Sequence, residues 1–158
     1  MYILGLHNDE DSGVCLIKNG KILDVINEER LTRKKLQAGF PKKSFQYILK
    51  KNKLNTKKID YYAYGWHGKK HDYSKYIQKI INRIKDCNLK NPKILNLVNE
   101  RIKVEFSRDT KTYTKFLEAI KNFNIPEGKV YFFDHHNSHA WSAFSCSKFS
   151  KSFVFTMD

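Results

Sequence analysis

The sequence predicts an α/β fold in which a mixed β-sheet is flanked by helices, and three observations predict it. Short apolar runs of strand length recur along the 158 residues, among them YILGL, GVCLI, KILDVI and KVYFF. The later runs alternate with segments whose apolar residues return at helical spacing. Gly, Pro and Asn/Lys-rich breaks separate the two kinds of segment.

Residues 2–6, 13–17 and 21–26 read as three antiparallel strands, with Lys18-Asn19-Gly20 as a tight turn between the second and third. Pro41 suits the first position of a helix that carries Phe45, Ile48 and Leu49 on one face as far as Lys50. A polar linker leads to IDYYAYGW, the fourth strand. Residues 71–87 place Tyr76, Ile77, Ile80, Ile81 and Ile84 on one side of an amphipathic helix. Residues 88–108 give a mixed signal, read as partial helix, and residues 112–123 repeat the amphipathic pattern. Pro126 and Gly128 end it, KVYFF is a fifth strand closing at Asp134, and a helix is expected from about Asn137 to Cys146. SFVFTMD reads as a sixth strand.

Composition sets the surroundings. Lys plus Arg exceed Asp plus Glu by 30 to 16, a formal net charge of +14 that suits an anionic partner, either nucleic acid or a phosphate-bearing small molecule. Cys15, Cys87 and Cys146 are odd in number and widely spaced, which favours reduced, mostly buried thiols in a cytoplasmic protein. The N-terminus turns acidic without a basic leader, and no apolar run approaches the roughly 20 residues of a membrane span. A soluble protein with no membrane partner is expected.

Three strands followed by helix, strand, helix, strand and helix is the order of a ribonuclease-H-like half, the unit that actin-like ATPases carry twice. In such a fold, ligands collect at strand ends and helix starts. Residues 1–150 would then form a first lobe, and residues 151–158 the first strand of a second. The segment VYFFDHHNSHAWSAF holds three of the six histidines at one strand-to-helix junction. Residues four apart share a helix face, so His135 and His139 can offer two imidazoles to one metal ion, with Asp158 as a third, oxygen ligand. His136 and His139, three apart, form the weaker pair. A polar helix cap is the plainer account of the same residues.

The chain resembles the N-terminal part of the carbamoyltransferases that include nodulation protein U and the antibiotic O-carbamoyltransferases. The resemblance is carried by ILGL, DSGVCLIKNGKI, NEERLTRKK, GFP, AYGW, DHHNSHAWSAF and FVFTMD, in the family's order and at close to its spacing. It covers nearly the whole chain, and EERLTRKK…GFP followed by DHHxxHAxSAF is its specific part.

The resemblance implies a two-step reaction: carbamoyl phosphate and ATP give carbamoyl adenylate, and the carbamoyl group then passes to an acceptor hydroxyl. It implies an adenylate-forming domain and a second lobe, in cis or trans, and leaves the isolated chain inactive. It also implies a divalent metal, Fe(II) with Zn or Mn as substitutes, on His135, His139 and Asp158, acting as a Lewis acid. Arg30, Arg33, Lys34 and Lys35, after the strand-closing Glu28 and Glu29, are candidates for binding an anionic donor or a polar acceptor. Trp66, with His67, is a candidate wall of the acceptor pocket, and Asp11 and Ser12 could approach phosphate from the first hairpin. One departure stands out: the family's His-Asp in that loop reads Glu10-Asp11 here. Glu10, if buried, or the nearby His7 would have to serve as the base.

Two other classes fit parts of the sequence. A non-catalytic interaction remnant of the fold would tolerate Glu10. A basic ribonuclease-H-like nucleic-acid binder fits the charge, but it requires no histidine pair and leaves most aromatics to the core.

Overall fold

The computed structural model describes residues 1–66, 82–83 and 91–156, excepting the side chains of 105–112. Residues 1–68 and 115–158 form one compact unit and residues 69–114 another. Apart from residues 82–83, which are helical, the helix expected over 71–87 lies outside the described residues, as do His67, Cys87 and Asp158.

Five strands make one mixed sheet: β1 (Tyr2–His7), β2 (Gly13–Lys18), β3 (Lys21–Asn27), β4 (Tyr61–Tyr64) and β5 (Val130–Phe132), in the order β3-β2-β1-β4-β5. The first three are antiparallel neighbours, and β4 and β5 add in parallel to β1. The turn between β2 and β3 needs two residues at positive φ, and Asn19 (φ 48) and Gly20 (φ 80) supply them. Alternation puts Leu4 and Leu6 on one face, opposite Leu16 and Val14 on one side and Tyr62 and Tyr64 on the other. All six are buried.

That face is covered by α2 (Lys42–Lys51), which contributes Phe45 and Ile48, and by the last turns of α3 (Pro92–Asn122), which contribute Phe116 and Ile120. Tyr64 and Phe116 stack with ring centroids 3.9 Å apart, and Phe40 stacks on Phe123 at 5.2 Å. The expected partial helix over 88–108 and the separate one over 112–123 are a single element. Pro92 is its first residue and neither Gly nor Pro interrupts it, so nothing in the chain forces a break. Asn124 (φ 51) ends it in the left-handed conformation, with the Ile125 amide donating to Ile120 O at 2.9 Å. In the second unit, Leu95, Val98 and Ile102 follow one another at helical spacing and are half-buried.

Four other expectations are corrected. Glu28 and Glu29 do not close β3, which ends at Asn27, but open a short helix, α1 (Glu28–Thr32). Pro41 caps α2 instead of opening it, and with no capping side chain of its own the helix start takes its acceptor from elsewhere. SFVFTMD is not a strand over its described part: no neighbour in the sheet offers it a ladder, and Phe153 is 94% exposed. Cys146 is exposed and Cys15 half-buried, so the thiols are less enclosed than their apolar neighbours suggested. No helix among the described residues is long and apolar enough to cross a membrane.

Candidate functional site

β1, β4 and β5 run parallel, so their C-terminal ends meet at one edge of the sheet. The hairpin partners bring the start of β2 and the end of β3 to that same edge, since His7 lies opposite Gly13 and Gly13 opposite Asn27. The described candidate residues are therefore gathered along one edge, where a mixed sheet of this kind leaves its crevice.

At the end of β5, Asp134 caps α4 (His135–Ser145), its Oδ1 accepting from the Asn137 amide at 2.9 Å. The helix thus begins two residues earlier than expected and takes in both His135 and His139. One turn apart, they face each other: Nε2 to Nε2 is 3.1 Å, and the ring centroids are 4.4 Å apart. His136 is directed elsewhere, its Nδ1 lying 3.5 Å from Thr156 Oγ1. His135 Nδ1 lies 3.3 Å from Gly65 O, and since a carbonyl can only accept, Nδ1 is the donor in that contact. The Trp66 ring packs against the same imidazole at 4.2 Å between centroids.

This donor set fits a divalent metal ion. With metal–nitrogen bonds of about 2.0–2.1 Å, nitrogens 3.1 Å apart subtend roughly 100° at the metal, an angle that tetrahedral and octahedral shells both accept. Among the described residues no third His, Cys, Asp or Glu completes a group of three.

In the β1–β2 loop, His7 Nε2 lies 3.0 Å from the Glu10 carbonyl. The carbonyl can only accept, so Nε2 is the donor in this contact. The Glu10 and Asp11 side chains are exposed, and Asp11 sits at φ 57. Ser12 is fully buried, with its hydroxyl donating to Gln37 O at 2.8 Å and its amide to the same oxygen at 3.0 Å. In this arrangement the hydroxyl that was expected to approach phosphate ties two segments together.

Those segments form one body. The Gly39 amide donates to Asn8 O at 2.8 Å and the Glu28 amide to Ser12 O at 2.8 Å. Arg33 closes α1 at φ 62, where its amide donates to Glu29 O. Glu29 accepts from Lys35 Nζ and from the Leu36 amide, both at 3.2 Å, and lies 3.7 Å from Arg30 Nε. The Lys35 hydrogen bond, then the Leu36 amide, hold the Glu29 carboxyl below its usual pKa. Arg33 and Lys34 are exposed. Of the four basic residues singled out, these two carry cationic groups that the Glu29 carboxylate does not engage.

Three residues of this edge, none of them a candidate site residue from the sequence, hold its parts together. Asn8 is 6% exposed and accepts from the Tyr64 hydroxyl, linking the first loop to β4. Glu28 is 3% exposed and its two carboxylate oxygens accept from the Lys43 and Ser44 amides, supplying the cap that Pro41 cannot. Gly65 lets α4 approach β4, since a Cβ there would lie 3.1 Å from Ser138 Oγ. The one available signal was α2 itself, which starts at Pro-Lys-Lys with no capping side chain. An apolar hollow of about 330 Å³, lined by Trp141, Phe144 and Val154, lies on the opposite face of α4 and is separate from the histidine pair.

Comparison with known proteins gives a family and several relatives. The carbamoyltransferase N-terminus family matches residues 2–158. Nodulation protein NolNO of Sinorhizobium fredii is 28% identical over 149 residues, covering 94% of this chain and 19% of its own length. An uncharacterized protein of Synechocystis is 28% identical over 152 residues, 94% of this chain and 23% of its own. Another, from Methanocaldococcus jannaschii, is 40% identical over 82 residues, 52% of this chain and 16% of its own. The chain thus spans 16% to 23% of the length of these relatives.

Proposed function

The chain belongs to the carbamoyltransferase family, matching its N-terminal region, and from that premise we propose that it forms the first lobe of an ATP- and carbamoyl-phosphate-dependent O-carbamoyltransferase. The lobe is a ribonuclease-H-like half, residues 1–150, with residues 151–158 opening the second. The β3-β2-β1-β4-β5 order supports that assignment. The remainder of the enzyme, a second lobe and an adenylate-forming domain, is supplied in cis or trans.

The observation that carries the reading is the facing His135–His139 pair at the β5–α4 junction. The pair holds a divalent metal, Fe(II) or in its place Zn or Mn, with Asp158 as a further ligand; when bound, the ion supplies Lewis-acid stabilisation of negative charge. Arg33 and Lys34, exposed beside the first loop, hold the phosphate of carbamoyl adenylate. Lys35 and Arg30, beside Glu29, keep the segment folded. In the transfer step the acceptor hydroxyl oxygen bonds to the carbamoyl carbon, the bond from that carbon to the AMP phosphate oxygen breaks, and AMP leaves. The hydroxyl proton passes to a base at the edge, and His7 Nδ1 is better prepared for this than Glu10, whose carbonyl orients the imidazole. Asp11 lies beside it in the same loop.

The test is anaerobic Fe(II) binding by the chain, followed by Zn(II) and Mn(II), comparing the wild type with His139→Ala and Asp158→Ala. Stoichiometric binding that weakens in both variants, by more than the roughly 10–100-fold that loss of an outer-shell partner costs, supports the site. Wild-type affinity retained in His139→Ala overturns it. Addition of the remaining polypeptide then tests carbamoyl transfer, which His7→Ala should abolish and Glu10→Ala should leave largely intact.

A further inference from the structure

A histidine that binds a metal through Nε2 must have its other ring nitrogen and its ring plane fixed by something else. In this chain the fixing elements lie at the end of β4. Gly65 O accepts a hydrogen bond from His135 Nδ1 at 3.3 Å, and the Trp66 ring lies against the imidazole at 4.2 Å between centroids and 63° between planes. Gly65 also has no side chain where one would meet Ser138 Oγ at 3.1 Å and Ser138 Cβ at 3.3 Å. Ser138 lies in the first turn of α4, its hydroxyl donating to Asp134 O at 2.8 Å, so the spacing between Gly65 and Ser138 sets how closely His135 can approach the Gly65 carbonyl.

We propose that Gly65 and Trp66 are positioning residues that select the Nδ1–H tautomer of His135 and aim its Nε2 at His139. This reassigns Trp66 from the acceptor pocket wall to the outer shell of the candidate metal pair, and in its metal-binding consequence it rests on the function proposed above. A second consequence follows from the 3.1 Å contact. With His135 Nε2 unprotonated, the attraction between the rings requires His139 to donate its Nε2 proton. His139 must therefore change tautomer when a metal takes both nitrogens.

Two readouts on the full 158-residue chain separate this proposal from the metal reading. The first is long-range ¹H–¹⁵N NMR of the imidazoles at about pH 8, above the ordinary histidine range. The wild type should show His135 as Nδ1–H and His139 as Nε2–H. Trp66→Ala should mix the His135 tautomers, and Trp66→Phe, which restores a ring, should return the wild-type pattern. Gly65→Ala provides a second variant that leaves Trp66 in place, and it should also mix them. The second readout is Zn(II) affinity by calorimetry: Trp66→Ala should bind about 10–100-fold more weakly than the wild type, with Trp66→Phe in between.

An unchanged His135 tautomer in both Trp66→Ala and Gly65→Ala overturns the proposal whatever the zinc result. Tautomer selection present in the wild type and lost in the Trp66→Ala and Gly65→Ala variants, together with a wild type that fails to bind zinc or a His139→Ala variant that binds it equally well, upholds the positioning role and removes the metal reading instead.

Discussion

A carboxylate that is 3% exposed must be matched by donors, and Glu28 meets the first amides of α2 with both of its oxygens. Replacing one oxygen by an amide group turns an N–H toward an N–H, so Glu28→Gln should cost about 1–3 kcal/mol, read from urea unfolding. Its neighbour acts on the loop rather than the core. The Glu29 carboxyl is held below its ordinary value of 4.5 by Lys35 first and the Leu36 amide second. A lowered folded pKa means that the folded chain binds fewer protons than the unfolded one, so this contribution is fully present above pH 4.5 and is lost as pH falls through the folded value. The Leu36 amide resonance should therefore shift in the wild type below that pH and stay flat in Glu29→Gln.

Among the elements, α4 is the one on which the candidate site depends. Its start is fixed by Asp134, and the two histidines share a face only if the first turn is helical. Asp134→Ala should cost about 0.5–2 kcal/mol, speed hydrogen exchange at the Asn137 amide, and weaken metal binding, while Asp134→Asn should keep most of all three. The α1 helix and the segment to Gly39 behave as a second such element. Asn8, Ser12 and Glu28 bind it to the β1–β2 loop through main-chain bonds of 2.8 to 3.0 Å, so the two stretches should move together.

In the sheet-bearing unit, Tyr64 belongs to the core and also touches the site. Its ring stacks on Phe116, its hydroxyl donates to Asn8, and its carbonyl accepts from the Phe133 amide just before Asp134. Phe116→Ala removes a fully buried ring, a change that should cost about 3–5 kcal/mol in thermal or urea unfolding. The same variant should broaden the His135 and His139 imidazole signals, because the ring that holds Tyr64 in place is gone. Leu97→Ala, at an exposed position of α3, should leave stability within about 0.5 kcal/mol.

Local pattern was enough to place the five strands, the helical face of Phe45 and Ile48, and the His135–His139 spacing, because periods of two and of 3.6 residues are written into the chain itself. The tertiary structure decided that His135 meets His139 while His136 turns elsewhere, that Glu28 caps a helix fifteen residues away, that Ser12 ties two segments together and that Trp66 packs against His135. Each of these depends on a partner distant in sequence, Gly65 for His135 and Gln37 for Ser12, and no periodicity encodes such a meeting. The described part of the sixth segment is not a strand for the same reason: alternation can make a segment ready for a sheet, but only a neighbouring edge can hydrogen-bond it into one.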